Sequence, residues 1–217
     1  GHPMPPIADR DLLALEPSLF RDVSFLAQQL FRGQVSITSG VMSVASGTLD
    51  APPIAPGHIV VVDDRPLEVI ARPTSTSATL SLLRADREAA LLLPPDVATK
   101  PAIVTTFAPQ IALIHAQLLR LLGLHIPTTS EPIPDLPTES DLTNPEELRL
   151  CEALGTLHLI HAAASALTGP DALSGRRAEM YRLRFNAERR RVRALIDTNH
   201  DGHPDATRTL SILHLVR

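Results

Sequence analysis

The stretch DTNHDGHPDATR, from Asp197 to Arg208, sets Asp197, Asn199, Asp201 and Asp205 around Gly202. Oxygen donors alternating about a glycine are what a calcium loop needs, because a hard cation is held by carboxylates, amides and carbonyls. Counted from Asp197 on the EF-hand template, these four residues fall at positions 1, 3, 5 and 9, with Gly202 at 6 and the His203 carbonyl at 7. Position 12, where a bidentate Glu completes the shell, is Arg208. The flanking runs read as strands rather than as two helices. The competing reading is a turn whose Asp and Asn side chains bond nearby amides while Gly202 takes a positive φ. The turn is preferred. Calcium held by Asp197, Asn199, Asp201 and Asp205 is the alternative, and no other cofactor is expected.

A second chemical feature lies just upstream. Arg176, Arg177, Arg182, Arg184, Arg189, Arg190, Arg191 and Arg193 crowd the helical pattern GRRAEMYRLRFNAERRRVR. Such a face could contact phosphates, giving binding that weakens with salt. Interleaved Glu179 and Glu188 also fit a solvated face that pairs with the acidic 131–147 stretch or a neighbouring subunit. Arg182, Arg184, Arg189, Arg190, Arg191 and Arg193 are the candidates for either role. His158 and His161 lie three apart on one helix without an HExxH pattern, so packing or surface exposure is expected of them. Cys151 falls inside an apolar helical pattern and reads as core. GxSxG, GxxxxGK(S/T) and strand-borne GxGxxG patterns are all missing, and no enzyme is expected.

These features sit in a 217-residue chain that is 44% apolar but only 3% aromatic, with no Trp. Its core must be built from Leu, Ile, Val and Ala. Twenty prolines imply long irregular connections. A net charge of −4 gives no overall bias towards nucleic acid or anionic membrane. All basic residues except Lys100 are arginine, which makes directional ion pairs. One cysteine fits a reducing compartment. No signal peptide is read, and Gly1-His2-Pro3 before Met4 is set aside as an expression scar. The longest apolar stretch, IALIHAQLLRLLGL, is interrupted by His115, Gln117 and Arg120 and is too short to span a bilayer. A soluble, intracellular protein with no membrane partner is expected.

Several elements must position these residues. EPSLFRDVSFLAQQLFRG spaces Phe20, Val23, Ala27 and Leu30 as a helix ended by Gly33. QVSIT, VMSVA, HIVVVD, LEVIAR and ATLSLL then read as five short strands of a small barrel or sandwich. Asp63 and Asp64 stand at the turn of a hairpin, with Pro66 entering its return strand. ADREAALLL predicts a short helix, AIVTTF an extended run, and APQIALIHAQLLRLLG a helix capped by Gly123. Residues 126–145 are Pro-rich and acidic and read as an exposed connection. TNPEELRLCEALGTLHLIHAAASALTG predicts a helix opened by a Thr143–Glu146 capping box and stopped by Gly169-Pro170. The arginine helix follows, its apolar stripe being Ala178, Tyr181, Phe185 and Val192. RVRALID and TLSILHLVR close the chain as a hairpin. The fold class is α+β: a helical scaffold of about four helices (8–33 with 108–217) ending in a β-hairpin, with a β module inserted over 34–107.

The run AEMYRLRFNAERRRVR into ALIDTNHDGHPDATRTLSILHLVR resembles the neck proteins of tailed bacteriophages or prophages, the head–tail adaptors or connectors. In these a Yxx(R/K)F-type helix leads into a DxxxDGxxDATR hairpin. ALGTLHLIHAAASAL, the EPSLF…FRG segment, GHIVVVDDRPLEVIAR and TTFAPQIALIHAQLLRLLG are similar to that family as well. The β module and the 126–145 stretch depart from a minimal all-helical adaptor. The resemblance implies a structural virion protein, made in the host bacterial cytoplasm and placed in the neck. It implies self-association into a ring, with portal protein and tail or tail-completion protein as partners. The ring would extend the DNA channel and touch DNA without sequence preference.

Overall fold

In the computed structural model, residues 7–126, 136–169 and 171–210 are described. The chain divides into two compact units, one comprising Ala8–Ala108 and the other built on Pro109–Arg217. The structure is mixed α and β, with a closed antiparallel barrel in the first unit and a C-terminal hairpin in the second.

The barrel contains six strands: β1 (Gln29–Thr38), β2 (Val41–Val44), β3 (Ile59–Val62), β4 (Arg65–Thr74), β5 (Ser77–Ser81) and β6 (Val97–Thr105). Their order around the barrel is β1-β2-β5-β4-β3-β6, and closure removes the free edges that an open sheet would expose. Alternate residues point inward, so Val35, Ile37, Val60, Val62, Val69 and Leu80 fill the interior. All five expected strand runs are present. The Asp63-Asp64 turn joins β3 to β4 with φ of 50° and 63°, the paired positive values that match a hairpin's twist. AIVTTF belongs to the longer strand β6.

The N-terminal segment differs from expectation. Instead of one helix to Gly33, there are helices α1 (Asp9–Leu15) and α2 (Leu19–Asp22), then a single 3₁₀ turn at Leu26–Gln28. β1 follows at once. Helical spacing fails beyond Val23, since Leu26 is 82% exposed. Phe31, Gly33, Val35 and Ile37 instead alternate along β1, and a Cβ on Gly33 would lie 2.7 Å from the Phe31 ring. Gly33 is thus a strand glycine beneath an aromatic ring, not a helix stop. Residues 8–33 consequently belong to the barrel unit rather than to the helical one.

α1 is anchored by ions. The carboxylate of Asp11 in its first turn suits the helix dipole, and the Ala8 amide donates to it at 2.8 Å. Arg10 Nε donates to Glu68 of β4 at 2.7 Å, and Arg84 donates to the same carboxylate at 3.1 and 3.3 Å. Arg10 and Glu68 are buried. The expected helix in ADREAALLL is replaced by irregular chain. There Arg84 turns towards Glu68 and the Ala89 carbonyl, and Leu92 bonds Leu82 and Ser81, so tertiary partners take the groups a helix would have satisfied.

The second unit contains α3 (Ala108–Leu121), α4 (Arg149–Thr168), α5 (Leu173–Arg189) and a hairpin of β7 (Arg193–Ile196) and β8 (Ala206–Thr209). α4 and α5 pack together. Gly155 lets them close on α3: a Cβ there would stand 2.9 Å from Phe185 and 3.0 Å from Ile114. The stretch Pro145–Thr168 is long and apolar enough to cross a membrane by length and composition, more so than the α3 segment. It is the core helix of this unit, with Cys151, Leu154, Leu157 and Ile160 buried.

The 126–145 stretch is less open than expected. Residues 127–135 lie outside the described residues, but from Leu136 onward the chain is built into the unit. A 3₁₀ turn, Glu139–Asp141, is opened by the Thr138 amide donating to Asp141 at 2.6 Å. The reciprocal pairing expected of Thr143 and Glu146 is absent, because the Thr143 hydroxyl donates to the Leu195 carbonyl instead. Asn144 lies beside β7, its amide donating to the Arg193 carbonyl at 2.8 Å and accepting from the Leu195 N–H at 2.7 Å.

Candidate functional site: the arginine helix and the C-terminal hairpin

The loop that suggested calcium is organised by its own backbone. Asp197 is buried and accepts from the Gly202 amide at 2.8 Å and from Asp201 at 3.3 Å. Asn199 accepts from the Asp201 amide, and Asp201 from the His203 amide at 2.8 Å. Asp205 faces Thr198, accepting from its amide at 3.0 Å and its hydroxyl at 2.8 Å. Those bonds, led by the Thr198 amide, hold the Asp205 carboxyl below its ordinary range. Gly202 has φ of 87° and His200 of 59°. The structure thus places Asp197, Asn199, Asp201 and Asp205 in one Asx-type turn. Among the described residues, no three His, Cys, Asp or Glu side chains gather as a metal-holding group.

The hairpin connection is shorter than the twelve residues, Asp197 to Arg208, that the sequence suggests between the runs RVRALID and TLSILHLVR. β8 begins at Ala206, so Arg208 is a strand residue rather than the end of a loop. Its guanidinium donates to the Leu122 carbonyl at 2.6 Å and to the Gly123 carbonyl at 3.0 Å. These carbonyls close α3, where the helix leaves acceptors unpaired and the dipole favours a cation. Gly123, with φ of 66°, leaves room for it; a Cβ would come 3.0 Å from Arg208. The residue that departs from the calcium template is a helix cap.

We expect Arg208→Ala to lower the stability of this unit by about 1.5–3 kcal/mol, the range for hydrogen bonds to charged groups. Arg208→Glu, which restores the missing carboxylate of the calcium template, should destabilise at least as much. Thermal unfolding of both variants with and without calcium checks this. Calcium-dependent rescue of Arg208→Glu would show that the loop is a metal site after all.

The candidate arginines divide into two groups. Arg189 lies over the Phe185 ring at 5.5 Å and donates to the Leu210 carbonyl at 3.1 Å. Arg193 donates to the carbonyls of Arg190, Arg191 and Val192, capping the end of α5. These two hold the hairpin. Arg182 pairs with Glu179 at 2.6 and 2.7 Å, and Arg184 lies over Tyr181 at 5.9 Å. Arg191 approaches Glu188 at 3.9 Å. Arg182, Arg184, Arg190 and Arg191 are exposed on or just beyond α5, and Leu183 among them is 56% exposed.

The other singled-out residues have structural partners. His158 bonds the Ala178 carbonyl at 3.0 Å, and His161 stacks on Tyr181 with ring centroids 5.7 Å apart. Both therefore join α4 to α5. Cys151 is fully buried, and burial pushes its thiol up to about 12, so it stays protonated near neutral pH. Sequence reading missed a buried trio. His115 of α3 lies between Glu139, 3.1 Å from Nε2, and Glu152, 3.2 Å from Nδ1. His115 and Glu152 lie in apolar patterns, and their partners are distant in sequence, so nothing local marks them.

The outer edge of β7 is covered by Thr143 and Asn144, which closes that edge to strand addition. Residues 211–217 of the TLSILHLVR run lie outside the described residues. No protein-family model, curated protein or solved structure matches this chain.

Proposed function

We propose that the protein is a structural component of a tailed-phage or prophage neck, assembling as a ring between portal and tail and extending the DNA channel. The helical unit serves as the adaptor scaffold. The observation that carries the reading is the arginine helix running into a hairpin whose connection, residues 197–205, is held by its own side-chain-to-backbone bonds, with Ala206–Arg208 entering β8. Those are the residues in which the sequence resembles neck proteins. The exposed Arg182, Leu183, Arg184, Arg190 and Arg191 also support it. Mixed apolar and basic surface suits a head-to-tail contact between different faces of neighbouring copies, the geometry that closes rings. Guanidinium groups that faced a channel would hold DNA by its phosphates, without base readout.

Mass photometry of the 23.4 kDa chain, alone and mixed with the portal protein of the same genome, tests the proposal. The expected result is a discrete ring mass, formed alone or on the portal, and lost in Leu183→Glu. A chain that stays monomeric and ignores the portal would refute it.

A further inference from the structure

We propose that His115 is a proton-operated latch, fastening the 138–144 segment and the C-terminal hairpin to α3 only while both of its ring nitrogens carry protons. The inference goes beyond the neck reading and does not depend on it.

The argument begins with donor count. An imidazolium has two N–H donors, whereas neutral imidazole has one and presents a lone pair at the other nitrogen. Here each nitrogen has a carboxylate oxygen within ion-pair distance, Glu139 3.1 Å from Nε2 and Glu152 3.2 Å from Nδ1, neither aligned as a hydrogen bond. Both contacts attract only in the protonated state. Loss of one proton sets a lone pair against a carboxylate in a site where His115 is 8% exposed and Glu152 fully buried. That is costly, and one partner must move.

Glu139 is the partner able to do so. Glu152 is fully buried in the first turn of α4, whereas Glu139 opens a three-residue turn and its side chain is 18% exposed. The turn is connected to the hairpin. The Asp197 amide donates to the Asp141 carbonyl at 2.8 Å, Leu142 bridges Ile196, and Thr143 and Asn144 line β7. Release of Glu139 therefore passes directly to β7 and its loop.

The charged groups acting on His115 are Glu152 from α4 and Glu139 from the turn. Burial pulls the His115 pKa down, but the adjacent Glu152 and Glu139 carboxylates outweigh it and hold it above the ordinary value. From the hairpin, His200 faces Asp141 at 3.2 Å instead. Stability from the latch is therefore complete below the ordinary imidazole range and is lost as pH rises through the raised value.

The test is hydrogen exchange of the full chain from about pH 6 to about pH 9, corrected for intrinsic rates. Protection in 138–144 and 193–209 should fall about tenfold or more in a single-proton step, while the α4–α5 core stays constant. The His115 ring signal, followed by NMR, should titrate at the same midpoint. Glu139→Gln should abolish the step, because a Gln amide can donate to the neutral ring; His200→Gln should leave it intact. The latch is overturned by a flat profile, a step shared by the whole unit, a different ring midpoint, or a step that survives in Glu139→Gln.

Discussion

Glu68→Ala should lower the stability of the barrel unit by about 3–5 kcal/mol, the usual consequence of removing one partner from a buried ion pair. Two guanidinium groups converge on that carboxylate, and the Arg10, Glu68 and Arg84 side chains are only 6%, 2% and 10% exposed. Without Glu68, Arg10 retains the Arg84 carbonyl at 2.8 Å and Asp11 at 3.3 Å, but a charge formerly neutralised is left buried. Glu68→Gln should cost less, since one acceptor oxygen remains. Removing the charges together, in Arg10→Met with Glu68→Leu and Arg84→Met, should recover much of the loss, because an apolar replacement avoids desolvating ions. Urea unfolding followed by exchange in barrel peptides gives the comparison. If Glu68→Ala unfolded like the parent chain, α1 would need some other anchor.

The second large effect concerns Asp9, in which pH acts on a buried acid. Asp9 is 2% exposed; one of its oxygens accepts from the Phe107 amide at 2.8 Å, and the other has no hydrogen-bond partner. Burial pushes its carboxyl up to about 7, and the Phe107 and Thr106 hydrogen bonds only partly oppose this. The native state therefore holds a proton that the unfolded chain has released. For such a group the stabilising contribution is complete below about pH 4, the unfolded value, and is lost as pH rises towards 7. A shift of about three units corresponds to roughly 4 kcal/mol. Asp9→Asn imitates the protonated acid without titrating. The variant should match the parent near pH 4 and exceed it by up to about 4 kcal/mol at pH 8, measured by urea unfolding across that range. A constant difference across the range would place the titrating group elsewhere.

Much of the fold was legible because it is local. β-branched runs between turn residues marked the strands QVSIT to ATLSLL, and Asp63-Asp64 marked the β3–β4 turn through its position between two such runs. α3, α4 and α5 followed from apolar spacing and glycine or proline boundaries. The errors arose where two periods overlap or a distant partner decides. Phe20 and Val23 begin a helical spacing that Phe31, Val35 and Ile37 continue as a strand, and only barrel closure against β6 resolves the ambiguity. Arg10 and Glu68 are 58 positions apart, and Arg208 and Leu122 are 86 apart. Counting against a calcium template could show that Arg208 was a poor ligand, but not that it caps a helix. Two of the six candidate arginines, Arg189 and Arg193, were undistinguished in the sequence for the same reason, since they serve carbonyls that only the folded hairpin supplies.

The Arg208 cap also bears on the order in which a ribosome delivers the chain. The barrel unit is one continuous stretch, Ala8–Ala108, so its strands can close while later residues are still being added. The second unit cannot finish that way. The carbonyls ending α3 wait through two further helices for the guanidinium that caps them. Until β8 emerges, the Leu122 and Gly123 carbonyls have only water to satisfy them.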